Sequence, residues 1–309
     1  RTRFTPVEVV GLPDSVIAIS GRLQFNCALT QGGAVFCWGR NHYGQLGDGT
    51  STDRIRPVQV IGLPAGVTAI ATGQLHACAL TEGGAVWCWG GSNSGQAGAF
   101  KWSVMPPAIV NGLDSSVAAI STGENHNCAL MQSGGVKCWG YNGSGQLGDG
   151  TRRSSANPVD VSGVTVGVAR LAAGGWHTCV IMDAAHGGAV RCWAWRSDVP
   201  VDIPGLANRA VAISGGEYHY CAVMGSPQSG ALKCWGQNMT GQLGNGTFTQ
   251  WDEPVDVVGF WGPHSAAGRV VTDAGWPLEG VTITSDAGHS ATTGADGAYV
   301  LAGLMPGTY

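Results

Sequence analysis

The sequence is poor in charged residues, and in lysine above all. Only 12% of its 309 residues are charged, three are lysine, and the net charge is −4 without a basic cluster. Nucleic-acid binding needs many Lys and Arg side chains to neutralise phosphates, so we expect no nucleic-acid partner. No apolar run approaches the roughly 18 residues that a membrane helix needs, so we also expect no membrane insertion.

Motifs of the common enzyme classes are missing as well. The sequence has no nucleophile motif, no phosphate-binding loop and no carboxylate pair at a meaningful spacing, so we expect no enzymatic activity and no cofactor. What it has in excess is glycine, with 51 residues, and tryptophan, with 12. Many turns with few charges are typical of an all-β protein whose strands are buried on both faces.

A pattern of about 50 residues recurs five times. Each copy contains an Ala-Ile-Ser-like run, a first Cys, a glycine-containing turn and a Cys-Trp-Gly or Cys-Trp-Ala triplet, and most copies continue into Gly-Gln-Leu-Gly. Four short apolar runs per copy predict four strands, of which the middle two form a hairpin with a tight glycine turn. Such sheets cannot bury both faces alone, so the pattern predicts a β-propeller of four-stranded blades over residues 15–260, in a ring that could be larger than five units.

The ten cysteines form one pair in every repeat. Pairing Thr30 with Ala34 in the first hairpin places the two cysteines of that repeat opposite each other, close enough for a disulfide. The predicted disulfides join Cys27 with Cys37, Cys78 with Cys88, Cys128 with Cys138, Cys179 with Cys192, and Cys221 with Cys234. Zinc is the competing interpretation, but spacings of ten and thirteen do not suit a zinc knuckle, so we predict no metal site. Five disulfides without a leftover cysteine predict an extracellular location, either secreted or on a cell surface.

The repeated string of His-x-Cys-Ala-Leu, Cys-Trp-Gly and Gly-Gln-Leu-Gly-Asp-Gly-Thr resembles the regulator of chromosome condensation repeat. More narrowly, it is similar to the cysteine-paired type of secreted bacterial proteins. The resemblance covers about residues 1–260 and implies a propeller, usually of seven blades. Members of the family act as nucleotide-exchange factors, as scaffolds and, in a secreted bacterial case, as an enzyme inhibitor, so the resemblance implies the fold without choosing among these functions.

The chain departs from the repeat pattern at three places. The fourth copy passes from Trp193-Ala-Trp-Arg directly to Pro200, without the Gly-Gln-Leu-Gly turn, and the second has an altered turn at Gly95. Residues 1–14 contain only the last strand of a unit, which we expect to close either a preceding blade or the last one.

The C-terminal residues have a different pattern. After a predicted linker at 261–267, residues 268–309 alternate β-branched residues with Asp-Gly turns, which predicts a partial β-sandwich. This part resembles the carboxypeptidase regulatory-like domain, a spacer module of bacterial surface proteins. Its missing strands could come from a neighbouring molecule, giving a fibre by strand exchange. The alternative is that the segment is only part of a longer domain.

Aromatic residues outside the repeat pattern are the candidates for a binding surface. We select Trp195 and Arg196, in the shortened fourth repeat, and Trp102, in the irregular second loop, because binding hot spots favour Trp, Tyr and Arg. Four histidines recur two residues before the first cysteine, and for these we expect buried, hydrogen-bonded structural roles. They are His76, His126, His177 and His219.

Two classes of function follow from these observations. The first is a structural or assembly module of a bacterial surface or secreted protein, which self-associates and could form a filament. The second is a propeller that binds a protein or a glycan through one face, in the manner of an inhibitor. A concave surface lined by the non-repeat tryptophans would favour the second.

Overall fold

The computed structural model describes residues 7–13, 15–194, 196–206, 210–225, 231–258, 264–272, 275–284 and 290–304, with the side chains of 264–268 and 301–304 left out. Residues 16–256 form five consecutive antiparallel sheets of four strands each. The strands of the first two sheets are β1 (Val16–Arg22), β2 (Phe25–Thr30), β3 (Val35–Gly39), β4 (Arg54–Gln59), β5 (Val67–Thr72), β6 (His76–Thr81), β7 (Val86–Ser92) and β8 (Lys101–Ile109). Those of the third and fourth sheets are β9 (Val117–Thr122), β10 (His126–Met131), β11 (Val136–Gly140), β12 (Ser155–Asp160), β13 (Val168–Ala173), β14 (Thr178–Met182), β15 (Val190–Ala194) and β16 (Ser197–Asp202). The fifth sheet has β17 (Ala210–Gly215), β18 (His219–Met224), β19 (Leu232–Gly236) and β20 (Trp251–Asp256).

The sheets are the blades of a β-propeller, as the sequence predicts. In each blade the strands pair in chain order, and the first strands of successive blades contact one another in the order β1, β5, β9, β13 and β17. Residues of β1, β5, β9 and β17 line a central channel of about 470 Å³ that reaches Arg22, Glu124 and Glu217. The one helical element that the described residues contain is a 3-10 turn at Ala184–His186, and none of their helices could span a membrane.

A disulfide joins the two middle strands of every blade. Each first cysteine lies directly opposite its partner in the strand pairing, with Cα atoms 4.1 Å apart in all five bridges. The bridges agree with the pairs that the hairpin pattern predicts: Cys27 with Cys37, Cys78 with Cys88, Cys128 with Cys138, Cys179 with Cys192, and Cys221 with Cys234. No cysteine is free. Since each bridge stays within one blade, contacts between blades depend on packing and hydrogen bonds.

Within the described part of the chain, the five blades form an arc whose two end blades are each covered on one side only. Ile19 of the first blade is 79% exposed, whereas its counterparts in the second and third blades, Ile70 and Ile120, are partly buried. Trp38 is half-buried, while Trp89 and Trp139 are fully buried at the same repeat position. The end blades therefore leave apolar surface exposed within the described part of the chain.

Residues 7–13 form no strand, and the last blade takes all four of its strands from residues 210–256. The described residues of the predicted closing segment, 1–14, therefore do not complete the last blade, because β20 already occupies its outer edge. Closure of a preceding blade stays a prediction.

The C-terminal residues form two small antiparallel sheets. One pairs β21 (His264–Arg269) with β24 (Ala298–Leu304), and the other pairs β22 (Thr282–Thr284) with β23 (Ser290–Thr292). Thr293 is buried where the segments meet, and its hydroxyl donates a hydrogen bond to the carbonyl oxygen of Leu278 over 2.6 Å. The described part of this segment thus pairs with its own chain.

Candidate functional site

One side of the propeller carries the turns between first and second strands and the long loops between third and fourth strands. We call it the loop face. The described blades have four aromatic side chains that are more than 40% exposed, and all of them lie in or beside these loops: Phe100, Trp102, Phe248 and Trp251. Nearer the channel, Trp176 stacks on Tyr218 with ring centres 6.5 Å apart and meets the edge of Tyr141 at 5.9 Å. Aromatic surface is therefore concentrated on the loop face.

An intact loop on this face is organised by a buried asparagine. In the first blade, the amide nitrogen of Asn41 donates hydrogen bonds to Asp48 Oδ1 and to the carbonyl oxygens of Thr50 and Thr52, at 3.0–3.1 Å. Burial alone would raise the pKa of Asp48, but hydrogen bonds from Thr50, Arg54 and Asn41 outweigh it and lower the pKa. Asn142 and Asn238 organise the third and fifth loops in the same way. The aspartates and the asparagine of the Gly-Asp-Gly and Gly-Asn-Gly segments thus stabilise the turns of these loops.

These loops also fill the space between neighbouring blades. The indole N–H of Trp89, in the second blade, donates to the carbonyl oxygen of Gln45, in the first loop, over 2.9 Å. Trp139 and Trp193 make the same contact to the loops before them, at 3.1 and 2.8 Å. The residue after each glutamine is buried beneath the loop, and these residues are Leu46, Ala97 and Leu147. One loop residue therefore seals each of these three interfaces.

The fourth blade breaks this pattern. A two-residue turn connects β15 to β16, and the backbone N–H of Arg196 donates to the carbonyl oxygen of Ala194 over 2.7 Å. Ala194 stands where the other blades have glycine, and it has φ of +73°, the left-handed region that a side chain disfavours. Non-glycine residues in this conformation are enriched at functional sites, so the shortened turn is a candidate.

The missing loop leaves a cleft between the fourth and fifth blades. Its cavity measures about 150 Å³, a size that accepts a benzene-sized group. Its wall includes His177, Trp193, Arg196, Tyr218, Trp235 and Asp252. The Trp235 ring stacks on Tyr220 at 5.7 Å and is only 6% exposed, but its indole N–H has no hydrogen-bond partner in the described part of the chain. The cleft is therefore mainly apolar, with a free donor in its wall.

The sequence-predicted binding residues fall at two separate places on the loop face. Arg196 lies at the cleft, where it forms an ion pair with Asp252 of the fifth blade. Trp102 lies on the second blade, 66% exposed, with its ring 5.0 Å from that of Tyr43. Trp195 is outside the described residues. The structure thus keeps Trp102 apart from Arg196, and it adds Trp235, a tryptophan of the repeat pattern, to the cleft.

Two of the four recurring histidines, His76 and His126, connect neighbouring blades, whereas His177 and His219 are only partly buried. His76 Nε2 lies 2.7 Å from Asn127 Oδ1, and His126 Nε2 lies 2.8 Å from Thr178 Oγ1, each partner being in the next blade. Burial lowers the pKa of His76 to about 4 and that of His126 to about 3, with Arg22 adding a smaller effect of the same direction on both. Neutral, buried rings of this kind are structural, and the described residues contain no group of three His, Cys, Asp or Glu that could hold a metal ion.

Comparison with known proteins gives this architecture its family context. Two sequence models described as the regulator of chromosome condensation (RCC1) repeat match the chain, one at residues 32–80 and 133–181 and the other at 17–45, 67–96 and 117–146. Residues 17–96 and 117–181 therefore match the RCC1 repeat. The matched segments lie within the first four blades, and they include the cysteine pairs of the first three blades together with Trp89 and Trp139.

Other proteins with similar segments or folds extend this finding. The chain is 45% identical to the human E3 ubiquitin-protein ligase HERC2 over 84 residues, which is 27% of this chain and 2% of HERC2. The crystal structure of human WBSCR16 is similar with a TM-score of 0.68 and 26% identity, over 79% of this chain and 67% of that one. Yeast RCC1 (Prp20), crystallised with Kap60, shares the fold with a TM-score of 0.68 at 18% identity, over 94% of this chain and 67% of that one. The chain thus spans a very small part of HERC2 and about two thirds of the two solved propellers.

Proposed function

We propose that this chain is a protein-binding propeller whose partner docks on the loop face, and that it has no catalytic role of its own. The observation that carries the proposal is the placement of every strongly exposed aromatic side chain of the described blades on that face. Aromatic residues provide large contact areas at little entropic cost and dominate binding hot spots. Yeast RCC1 was crystallised with Kap60, so a propeller of this fold binds a protein there.

The proposal is tested by comparing variants of the two faces. Trp102→Ala and Trp251→Ala remove exposed rings from the loop face, whereas Val166→Ala removes a 54% exposed side chain from the opposite face and serves as the matched control. In affinity purification from the producing organism, we expect a partner that the wild type and the Val166 variant retain at equal levels. Loop-face variants should retain it at least tenfold less, since each hot spot contributes about 2 kcal/mol. Equal retention by all variants would contradict the proposal.

We propose further that the chain works in an extracellular, oxidising environment. Five disulfides, one in each blade, support this location, because such bonds persist mainly outside the reducing cytosol. The measurement is a free-thiol count on protein isolated from its source with thiols blocked at lysis. No reactive thiol is expected, and a fully reduced chain would contradict this location.

A second candidate function is assembly through the C-terminal segment, as a partial carboxypeptidase regulatory-like module. It is favoured by the two-stranded sheets of β21 with β24 and β22 with β23, since small sheets present edges to which another chain can add a strand. Strand exchange predicts filaments of the full chain in electron micrographs. Monodisperse single particles at high protein concentration would count against it.

A further inference from the structure

We propose that the cleft between the fourth and fifth blades receives a loop of the partner protein, which replaces the loop that the fourth repeat lacks. The inserted loop would place a leucine-sized side chain in the cavity and a backbone carbonyl oxygen on the indole N–H of Trp235. This inference rests on the proposed function, because it specifies how a partner engages the loop face.

The other blades define what fits this space. At three successive interfaces, a tryptophan N–H donates to a glutamine carbonyl oxygen at 2.8–3.1 Å, and the next residue is buried below it. That buried residue is leucine in the first and third loops and alanine in the second. The same tryptophan position is kept at Trp235, although the sequence of the fourth repeat lacks the corresponding loop. The fifth blade therefore retains the hydrogen-bond donor of this contact, whereas the fourth repeat lacks the loop that would carry the acceptor.

Two polar atoms at the cleft support this interpretation. The N–H of Trp235 has no hydrogen-bond partner in the described part of the chain, although only 6% of the residue is exposed. His177 also lines the cavity, and its buried Nδ1 is without a partner in the same part of the chain. Buried polar groups are nearly always hydrogen-bonded, so the Nδ1 of His177 is an exception that a polar group of an inserted peptide would correct.

The mouth of the cleft is suited to a peptide. Gln237 and Gln250 line it and offer amide groups to a backbone, and the ion pair of Arg196 with Asp252 connects the two blades across the opening. Both charged side chains are about half exposed, so a partner can separate them at small energetic cost. Arg196, which the sequence singles out, would then be free to pair with the partner.

The probe for this site is the chain's own third loop as a synthetic peptide of residues 141–154, which contains Gln146 and Leu147. We expect it to bind the full chain saturably in calorimetry, and we expect the same peptide with Leu147→Asp not to bind. Trp235→Phe keeps an aromatic ring, smaller than the indole, but removes the N–H, and it should weaken binding about tenfold, as expected for one hydrogen bond. The matched control is Trp139→Phe, because Trp139 already donates to Gln96 of its own chain, and it should leave peptide affinity unchanged.

A loop-restored variant gives the second readout. Replacing residues 195–196 by residues 141–154 should fill the cleft, abolish peptide binding and preserve a cooperative thermal transition. Absence of saturable binding to the wild type, or equal binding to the loop-restored variant, would overturn the inference. If the loop-restored variant still retains the natural partner while Trp102→Ala loses it, the loop-face proposal stands and only the cleft inference fails.

Discussion

At the blade interfaces, the residue at the histidine position varies between repeats together with the residue that it contacts in the next blade. His76 contacts Asn127 and His126 contacts Thr178, but the first blade has Phe25 at the histidine position, and the residue that precedes Cys78 in the next blade is Ala77. Phe25 and Ala77 are both buried, so an apolar pair replaces a polar one at this interface. The histidine is therefore one of two ways to fill the same position, and a common catalytic role is not needed to explain its recurrence.

The buried histidines predict that the protein loses stability in acid. The pKa values of His76 and His177 are about 4 and that of His126 is about 3, below the unfolded value of about 6.5. Because the unfolded chain takes up protons first, stability is fully present above about pH 6.5 and is lost as the pH falls towards 4. Each histidine should contribute on the order of 3 kcal/mol to this loss, measured as the free energy of unfolding in urea between pH 7 and pH 4.

The control for this prediction copies the apolar pair of the first interface. The double variant His76→Phe/Asn127→Ala should take up about one proton fewer than the wild type when it unfolds in acid. An unchanged dependence would show that carboxyl groups, not these rings, dominate the acid transition.

At the scale of one element, the turn between β15 and β16 is the place where the repeat is altered most. Cysteine pairing and strand order are preserved in the fourth blade, since Cys179 still lies opposite Cys192 and the strands still pair in chain order. The loop alone is replaced, by two residues. A blade thus tolerates loss of its loop because the disulfide and the strand pairing do not depend on it.

Ala194 should make this turn less stable than glycine would. Ala194→Gly relieves about 1–2 kcal/mol of left-handed strain and costs about 0.4–1 kcal/mol in chain entropy, so we expect a gain of about 0.5–1 kcal/mol in the free energy of unfolding. The comparison variant is Gly140→Ala, whose new Cβ would lie 2.5 Å from the carbonyl oxygen of Asn125 and should cost more than about 1 kcal/mol. Chemical denaturation of both variants measures the difference, and destabilisation by Ala194→Gly would refute the strain.

At the scale of the whole molecule, the blades are an array in which each blade packs mainly on its neighbours. One contact reaches further, because Arg22 of the first blade donates to the carbonyl oxygen of Thr122 in the third blade over 3.0 Å. The second, third and fourth blades are covered on both sides, and the hydrophobic clusters lie between successive blades: residues of the first and second share one cluster, and those of the second and third share the next. In repeat arrays of this kind, stability is approximately a sum of repeat and interface contributions.

This arrangement predicts a gradient of local stability. Backbone amides of β1–β4 and β17–β20 should exchange with solvent faster than those of β5–β16, because the end blades have one covered face instead of two. Hydrogen exchange followed by mass spectrometry measures the amide exchange rate of each blade. Because every blade has one disulfide, a difference between blades cannot come from disulfide bonding. Uniform protection across the five blades would mean that the end blades are covered in solution, for example by a second copy.

Much of the architecture could be predicted from the sequence because the information is local and repeated. Opposed cysteines such as Cys27 and Cys37, the glycine turn between them and the four short runs in each copy are set by hairpin geometry within about 50 residues. Five copies of one pattern reinforce the same prediction, and the missing fourth loop also pointed to Arg196.

Only the tertiary structure decided which residues contact each other across the blade interfaces. That Trp89 donates to Gln45, 44 residues earlier, and that Trp235 lacks such an acceptor depends on the stacking of whole sheets, which no single repeat encodes. The same holds for the separation of Trp102 from Arg196, since residues at matching repeat positions are placed on different blades around the axis. Short-range hairpin geometry determined the structure of each blade. The cleft was determined by long-range packing, because each face of a blade is covered by the next repeat.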